Sequence, residues 1–246
     1  MRRFPSCLLA LLFLSVSVQS QETASVPLAD GFGYPVGLDG KAYYKARGFR
    51  PNGHLGEDWN GKGGGDTDLG APVYTTGHGV VVFARDYRVG WGNVVIIRHA
   101  YLEAGRVEFA DSLYGHLNDM LVQEGQQVRR GAQIGTIGNN RGMYDAHLHF
   151  ELRKNLQIGM HRHRFPRDST SYWDPSSFIV ARLQLPSGGR LAAVPLNTFN
   201  TSPDTAASPL ERELPLSPAN PTKPSALRKE PFKVDRFEDL RGSSSY

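Results

Sequence analysis

The sequence predicts a mainly β protein built as an antiparallel sheet or sandwich. Three observations carry that expectation. From Gly70 to Phe150 the apolar runs are short and rich in Val, Ile, Tyr and Phe; glycines at 77, 79, 90 and 92 punctuate them; and no stretch sustains a 3.6-residue period. Short strands joined by tight turns make antiparallel pairs.

The chain is 246 residues long, and its first twenty stand apart from any fold. Arg2 and Arg3 precede an apolar run from Cys7 to Val18, too short to span a bilayer and followed by small residues. This reads as a signal peptide, 1–20, cleaved after Ser20. It predicts an exported chain, periplasmic or extracellular and associated with the cell envelope, with no stable membrane insertion once the leader is gone. Cys7 is the only cysteine, so the mature chain would use neither disulfides nor thiolates, and His, Asp or Glu must hold any metal. The leader carries two arginines and no acid, so its removal lowers the formal charge from +4 to +2. No basic cluster interleaved with aromatics points to nucleic acid.

Residues 21–49 form an N-terminal segment leading into the domain, ending near the turn signal Pro51-Asn52-Gly53. The main domain is expected over 50–185. Its glycine-rich stretch Gly61–Gly65 reads as a mobile loop, since it lacks the Gly-Lys-[Ser/Thr] ending of a phosphate-binding loop. Candidate strands follow at Pro72–Thr76, Gly79–Ala84, Asn93–His99, Glu108–His116, Gln133–Ile137 and Ala146–Arg153. Residues 186–246 are rich in Pro, Ser, Thr and Asn and read as a disordered tail, within which 227–240 would form a short helix or stay solvated.

The chemistry centres on Ala146-His147-Leu148-His149-Phe150-Glu151. On a strand His147 and His149 share one face, while Leu148 and Phe150 take the other. Upstream, His54 and Asp58 stand four apart in His54-Leu55-Gly56-Glu57-Asp58. His54, Asp58 and His149 would offer a metal two imidazoles and a carboxylate, leaving one tetrahedral position free, as in catalytic zinc sites. Tyr114-Gly115-His116-Leu117 supplies a further histidine that is not needed as a ligand.

These three segments, in this order, resemble the motifs of the M23 (LytM/lysostaphin-type) zinc metallopeptidases. So do Gly70–Tyr74, Gly92–His99 and Val128–Gly135, and the likeness covers roughly residues 50–155. The resemblance implies a β fold of the duplicated hybrid-motif type. It implies one Zn2+ per chain on His54, Asp58 and His149, with His116 and His147 as catalytic histidines acting on a zinc-activated water. It further implies a peptidoglycan endopeptidase that hydrolyses peptide cross-links of the cell wall. Zinc lowers the pKa of a water towards about 7, where neutral imidazoles can take and return protons.

Departures are visible too. Asp145-Ala146 stands where many members have Gly-Pro, Gly138–Tyr144 replaces a small-polar segment beside the substrate groove, and 159–172 is inserted before Trp173-Asp174-Pro175. These leave the cleaved bond open between a glycine bridge and a direct D-amino-acid cross-link. Glu57 and Glu151 are expected to support ligating histidines, His78 to sit in a turn, His99 to support the core, and His161 and His163 to lie in a solvated or substrate-facing loop. The competing function is a non-catalytic wall-binding protein of the same fold that activates another hydrolase. Such relatives lack several of the five site residues, and this chain has them all.

Overall fold

The strands of this protein follow its alternating sequence. In β6 (Gly92–Glu103), Val95, Ile97 and Tyr101 enter one buried cluster, while Val94 and Ile96 enter another with Trp91 and Leu113. Successive side chains on a strand point to opposite faces, so this run is a strand covered on both sides. The computed structural model describes residues 22–88 and 90–199. The expected leader (1–20), the tail from residue 200 onward and the expected helix at 227–240 lie outside the described residues.

In chain order the remaining elements are β1 (Thr23–Pro27), β2 (Tyr43–Arg47), β3 (Glu57–Gly61), β4 (Pro72–Tyr74), β5 (Gly79–Arg88), β7 (Arg106–Met120), β8 (Gln127–Val128), β9 (Gln133–Ile137), β10 (Leu148–Arg153), β11 (Tyr172–Trp173), α1 (Pro175–Val180) and β12 (Leu191–Pro195). The large sheet runs β2-β3-β10-β7-β6-β5-β8, with β11 on β10 and with β9 joining β7 to β4. Every pairing is antiparallel. The sheet is long where the sequence is apolar: β6 and β7 pair from Glu103–Arg106 back to Asn93–Leu117. Helix α1 starts at Pro175, whose fixed φ suits a first helical position, and Asp174 Oδ1 accepts the Ser177 N–H at 2.9 Å.

The main core gathers Phe32, Trp59, Val95, Ile97, Tyr114, Leu148, Phe150 and Phe178 beneath one face of the sheet. A second cluster, Val26, Leu28, Val80, Ala100 and Val194, lies where β1 and β12 pair and pack against β5 and β6. This corrects one expectation. Composition places residues 186–199 in the disordered tail, yet Leu191–Pro195 form a strand whose Val194 is fully buried. The five residues pair along their length with Thr23–Pro27, which gives their backbone groups hydrogen-bond partners, and Val194 joins the second buried cluster.

Arg98 ties that added strand to the sheet. It is fully buried, grips Asp111 through Nε and Nη2 at 2.7 Å each, and donates through Nη1 to the Pro195 carbonyl at 2.7 Å. A two-pronged guanidinium–carboxylate pair with its spare N–H groups satisfied is the arrangement in which a buried ion pair is tolerated.

Candidate functional site

Strand register brings the site together. His149 on β10 lies directly opposite Asp58 on β3 and opposite Gly115 on β7. Facing side chains on adjacent antiparallel strands stand about 5 Å apart at Cβ, so the pairing alone places the His149 ring against the Asp58 carboxylate. His54 arrives from outside the sheet, through the bend that precedes β3. At Gly56 an added Cβ would fall 2.4 Å from the Phe150 carbonyl oxygen, so only glycine lets this bend lie against β10. At Gly115 a Cβ would press on the Trp91 ring at 3.2 Å, and that ring packs edge-on to His149 with centroids 5.3 Å apart.

Three atoms that could bind a metal meet as a result. His54 Nε2 lies 3.1 Å from His149 Nδ1 and 3.0 Å from Asp58 Oδ1, and His149 Nδ1 lies 2.9 Å from Asp58 Oδ1. Their neighbours fix the tautomers. His54 Nδ1 faces the Gly48 carbonyl at 3.1 Å, which can only accept, so Nδ1 carries the hydrogen and Nε2 a lone pair. His149 Nε2 donates to Glu151 Oε1 at 3.0 Å, leaving the Nδ1 lone pair inward. Two nitrogen lone pairs and a carboxylate oxygen therefore converge with no fixed hydrogen among them. They need a cation or an extra proton.

The electrostatics show the same demand. Burial pushes the His149 imidazole down, but its hydrogen bonds to Asp58 and Glu151 outweigh burial and raise it to about 9. Burial alone would raise the Asp58 carboxyl, yet the bonds to His149 and His54 hold it well below the ordinary carboxylate range. A tetrahedral zinc with ligands about 2.1 Å away sets them about 3.4 Å apart, slightly wider than the observed triangle. The donor set, two neutral imidazoles and one carboxylate, suits zinc, and His54, Asp58 and His149 could hold a metal ion.

Behind the triangle the β10 face continues as a buried polar chain. Glu151 Oε2 accepts from Arg153 Nε at 2.7 Å, and Arg153 Nη1 donates to the Gly159 carbonyl. Burial opposes ionisation of Glu151, but Arg153 and His149 beside it bring its carboxyl down to about 2. The expectation for Glu151 is met geometrically, whereas Glu57 differs. Adjacent to Asp58 on β3, it takes the opposite face and accepts from Lys45 Nζ at 2.9 Å and from the Ser176 N–H at 3.2 Å.

His116 and His147 border the triangle. The His116 ring centroid lies 4.8 Å from that of His147 and 5.6 Å from that of His149. His116 sits within β7 at φ +65°, where the β6–β7 register shifts between Asn93 and Val95. Such a bulge spends one extra residue to re-aim a side chain, here towards the triangle. Burial, with the imidazoles of His149 and His147 nearby, holds His116 well below the usual histidine value and so neutral. His147 immediately precedes β10, bridges to Gly138, and donates through Nδ1 to the Asp145 carbonyl at 2.8 Å.

Other histidines lie elsewhere. His78 Nδ1 accepts from the Arg130 backbone N–H at 2.9 Å, and His99 is fully buried. His161 and His163 belong to a 3-10 turn (Arg162–Arg164) and its N-terminal cap; the Arg162 guanidinium stands 5.1 Å over the Trp91 ring. Sequence reasoning missed three residues that shape the site. Trp91 packs on His149 and His116; Arg47 Nη1 lies 3.4 Å from Asp58 Oδ2; and Tyr144 Oη lies 2.5 Å from His116 Nδ1. Only Tyr144 had a signal, its place in the segment that departs from the family pattern.

Comparison with known proteins agrees with this geometry. Residues 53–159 match the model of peptidase family M23. The chain is 43% identical over 84 residues to the peptidoglycan DD-endopeptidase ShyA of Vibrio cholerae, a stretch covering 34% of this chain and 18% of that protein. It is 38% identical over 86 residues to the lipoprotein NlpD of Yersinia enterocolitica, covering 34% of this chain and 78% of that sequence. It is also 38% identical over 86 residues to the murein hydrolase activator NlpD of Salmonella typhimurium, covering 34% of this chain and 20% of that protein. With the family model spanning the whole site and most of one relative covered, the chain belongs to peptidase family M23.

Proposed function

We propose that this protein is an exported zinc endopeptidase that hydrolyses peptide cross-links of bacterial peptidoglycan. The carrying observation is the meeting of His54 Nε2, Asp58 Oδ1 and His149 Nδ1 within 3.1 Å, with no hydrogen fixed among them and two further imidazoles alongside. In this reading His54, Asp58 and His149 are the zinc ligands and His116 and His147 the catalytic histidines. Zinc, when bound, supplies a Lewis acid that polarises the scissile carbonyl and acidifies water.

The remaining work falls to the chain's own side chains. His147 Nδ1 is tied to the Asp145 carbonyl, so its Nε2 is free to accept the proton of the attacking water. His116, kept neutral by burial and by its neighbouring imidazoles, has an Nδ1 flanked by the Trp91 carbonyl at 3.1 Å. The proton taken by His147 can pass to the leaving amine, and the other nitrogen of His116 can take up the second proton of the water as the new carboxylate forms. Trp91 covers one side of His149 and keeps water from that edge.

Similarity to a murein hydrolase activator supports a second reading, a wall-binding protein that recruits another hydrolase. The complete set of five residues favours the enzyme. Incubating purified protein with isolated sacculi separates the two. Release of new amino termini, abolished by His147→Ala with zinc retained, supports the endopeptidase. Binding to sacculi without new termini supports the activator.

A further inference from the structure

We infer that Tyr144 is a positioning residue for His116: its phenol oxygen holds the imidazole as the Nδ1–H tautomer and leaves Nε2 as the proton acceptor. This rests on the proposed function, in which His116 moves a proton. Nothing about residue type or motif spacing assigns Tyr144 a part; the geometry around one ring nitrogen does.

Two oxygens converge on His116 Nδ1, Tyr144 Oη at 2.5 Å and the Trp91 carbonyl at 3.1 Å. The Trp91 carbonyl can only accept, and it already receives the His116 backbone N–H at 3.0 Å. Tyr144 Oη is thus the nearer partner of the side chain. The phenol has one hydrogen, and the Gly90 carbonyl, 2.9 Å away, can only accept it. With that hydrogen directed to Gly90, the phenol presents lone pairs to Nδ1. Both neighbours of Nδ1 are then acceptors, so Nδ1 must be the donor and Nε2 carries the lone pair.

The packing holds the phenol there. Its ring lies 4.7 Å from His116 and 5.0 Å from His147, centroid to centroid, closing a triangle of three rings. Burial raises the Tyr144 phenol, so it keeps its hydrogen throughout the working pH range. Tyr144 also stands three residues before His147. One side chain thereby joins the Gly90–Trp91 turn, His116 and the segment that delivers His147. The positive φ of His116 makes such support useful, because a residue aimed by a bulge needs its ring fixed by something other than the strand ladder.

The test uses the zinc-loaded full chain labelled with nitrogen-15. Long-range proton–nitrogen spectra read the tautomer of His116, assigned by loss of its signals in His116→Gln. The expected wild-type pattern is a protonated Nδ1 and a bare Nε2. In Tyr144→Phe the pattern should move towards a mixture of tautomers, with kcat on sacculi down about tenfold, KM unchanged and zinc content unchanged. A wild-type His116 protonated at Nε2 overturns the proposal without any variant. So does a Tyr144→Phe protein with the wild-type tautomer and kcat. Failure of the proposed function shows differently, as a wild type that cuts nothing; the spectra need no turnover and still reveal which nitrogen of His116 holds the hydrogen.

Discussion

Glu151 Oε1 lies 3.0 Å from His149 Nε2, on the ring edge opposite the nitrogen that faces Asp58. The two residues are two apart on one strand, so the alternation that turns Leu148 and Phe150 into the core also stacks a carboxylate behind an imidazole. That carboxylate sets the tautomer and makes the ring a better electron-pair donor.

Glu151→Gln should therefore keep the fold while weakening zinc binding by about 10–100-fold, a typical cost for losing the partner behind a ligand. Competition titration against a chromogenic chelator measures it. Wild-type affinity in the variant would remove Glu151 from any role in ligand orientation.

His147→Ala and His149→Ala should separate binding from turnover. His149→Ala removes one of the three proposed ligands and should purify with little zinc. His147→Ala leaves the triangle of His54, Asp58 and His149 intact and should purify with wild-type zinc, yet lose roughly 100-fold or more in rate, the usual weight of a general base. Elemental analysis beside amino-terminus release reads both. Loss of zinc in His147→Ala would make it a ligand instead.

Much of this site was legible because its chemistry follows strand parity. His147, His149 and His116 lie in segments whose β character shows in the Val-, Ile- and Phe-rich runs around them, and the strands from β4 to β10 fall close to those runs, whereas Asp58 sits on Glu57–Gly61, a strand with no such run to announce it. The rest depended on contacts between segments far apart in sequence. The β12 strand is legible only once Thr23–Pro27 is known to lie beside it. The positive φ of His116 belongs to a register shift set by β6. Glu57 invites a supporting role because it neighbours the proposed ligand Asp58 in sequence; on a strand, sequence neighbours face apart.

Arg98→Met should cost about 3–5 kcal/mol, because it leaves Asp111 charged, buried and unpaired. Urea unfolding reads the loss. Replacing both partners, as Arg98→Met with Asp111→Leu, should recover part of it. No recovery in the double variant would mean that the lost bonds to Pro195 and Leu156, rather than the orphaned charge, dominate.

Acid should destabilise the fold through His99. Burial, partly offset by the bond from Nδ1 to the His78 carbonyl, holds this imidazole down at about 4. Its Nε2 faces Ser112 Oγ at 2.7 Å, and Ser112 lies 3.0 Å from Tyr114 Oη. The folded value is depressed below the unfolded one. The contribution is therefore fully present above about pH 6.5 and is lost as pH falls towards about 4, where the unfolded chain binds a proton that the native state refuses. At roughly 1.4 kcal/mol per unit, the window amounts to about 3 kcal/mol. Urea midpoints between pH 7.5 and pH 4 should fall in the wild type and fall less steeply in His99→Gln. Parallel slopes would show that other groups carry the acid response.

The most direct measurement is amino-terminus release from sacculi by one preparation before chelation, after chelation and after zinc is returned. A zinc endopeptidase built on His54, Asp58 and His149 should give release, then none, then release restored at about one zinc per chain, with His149→Ala inactive throughout. Undiminished release from the metal-stripped protein would contradict it.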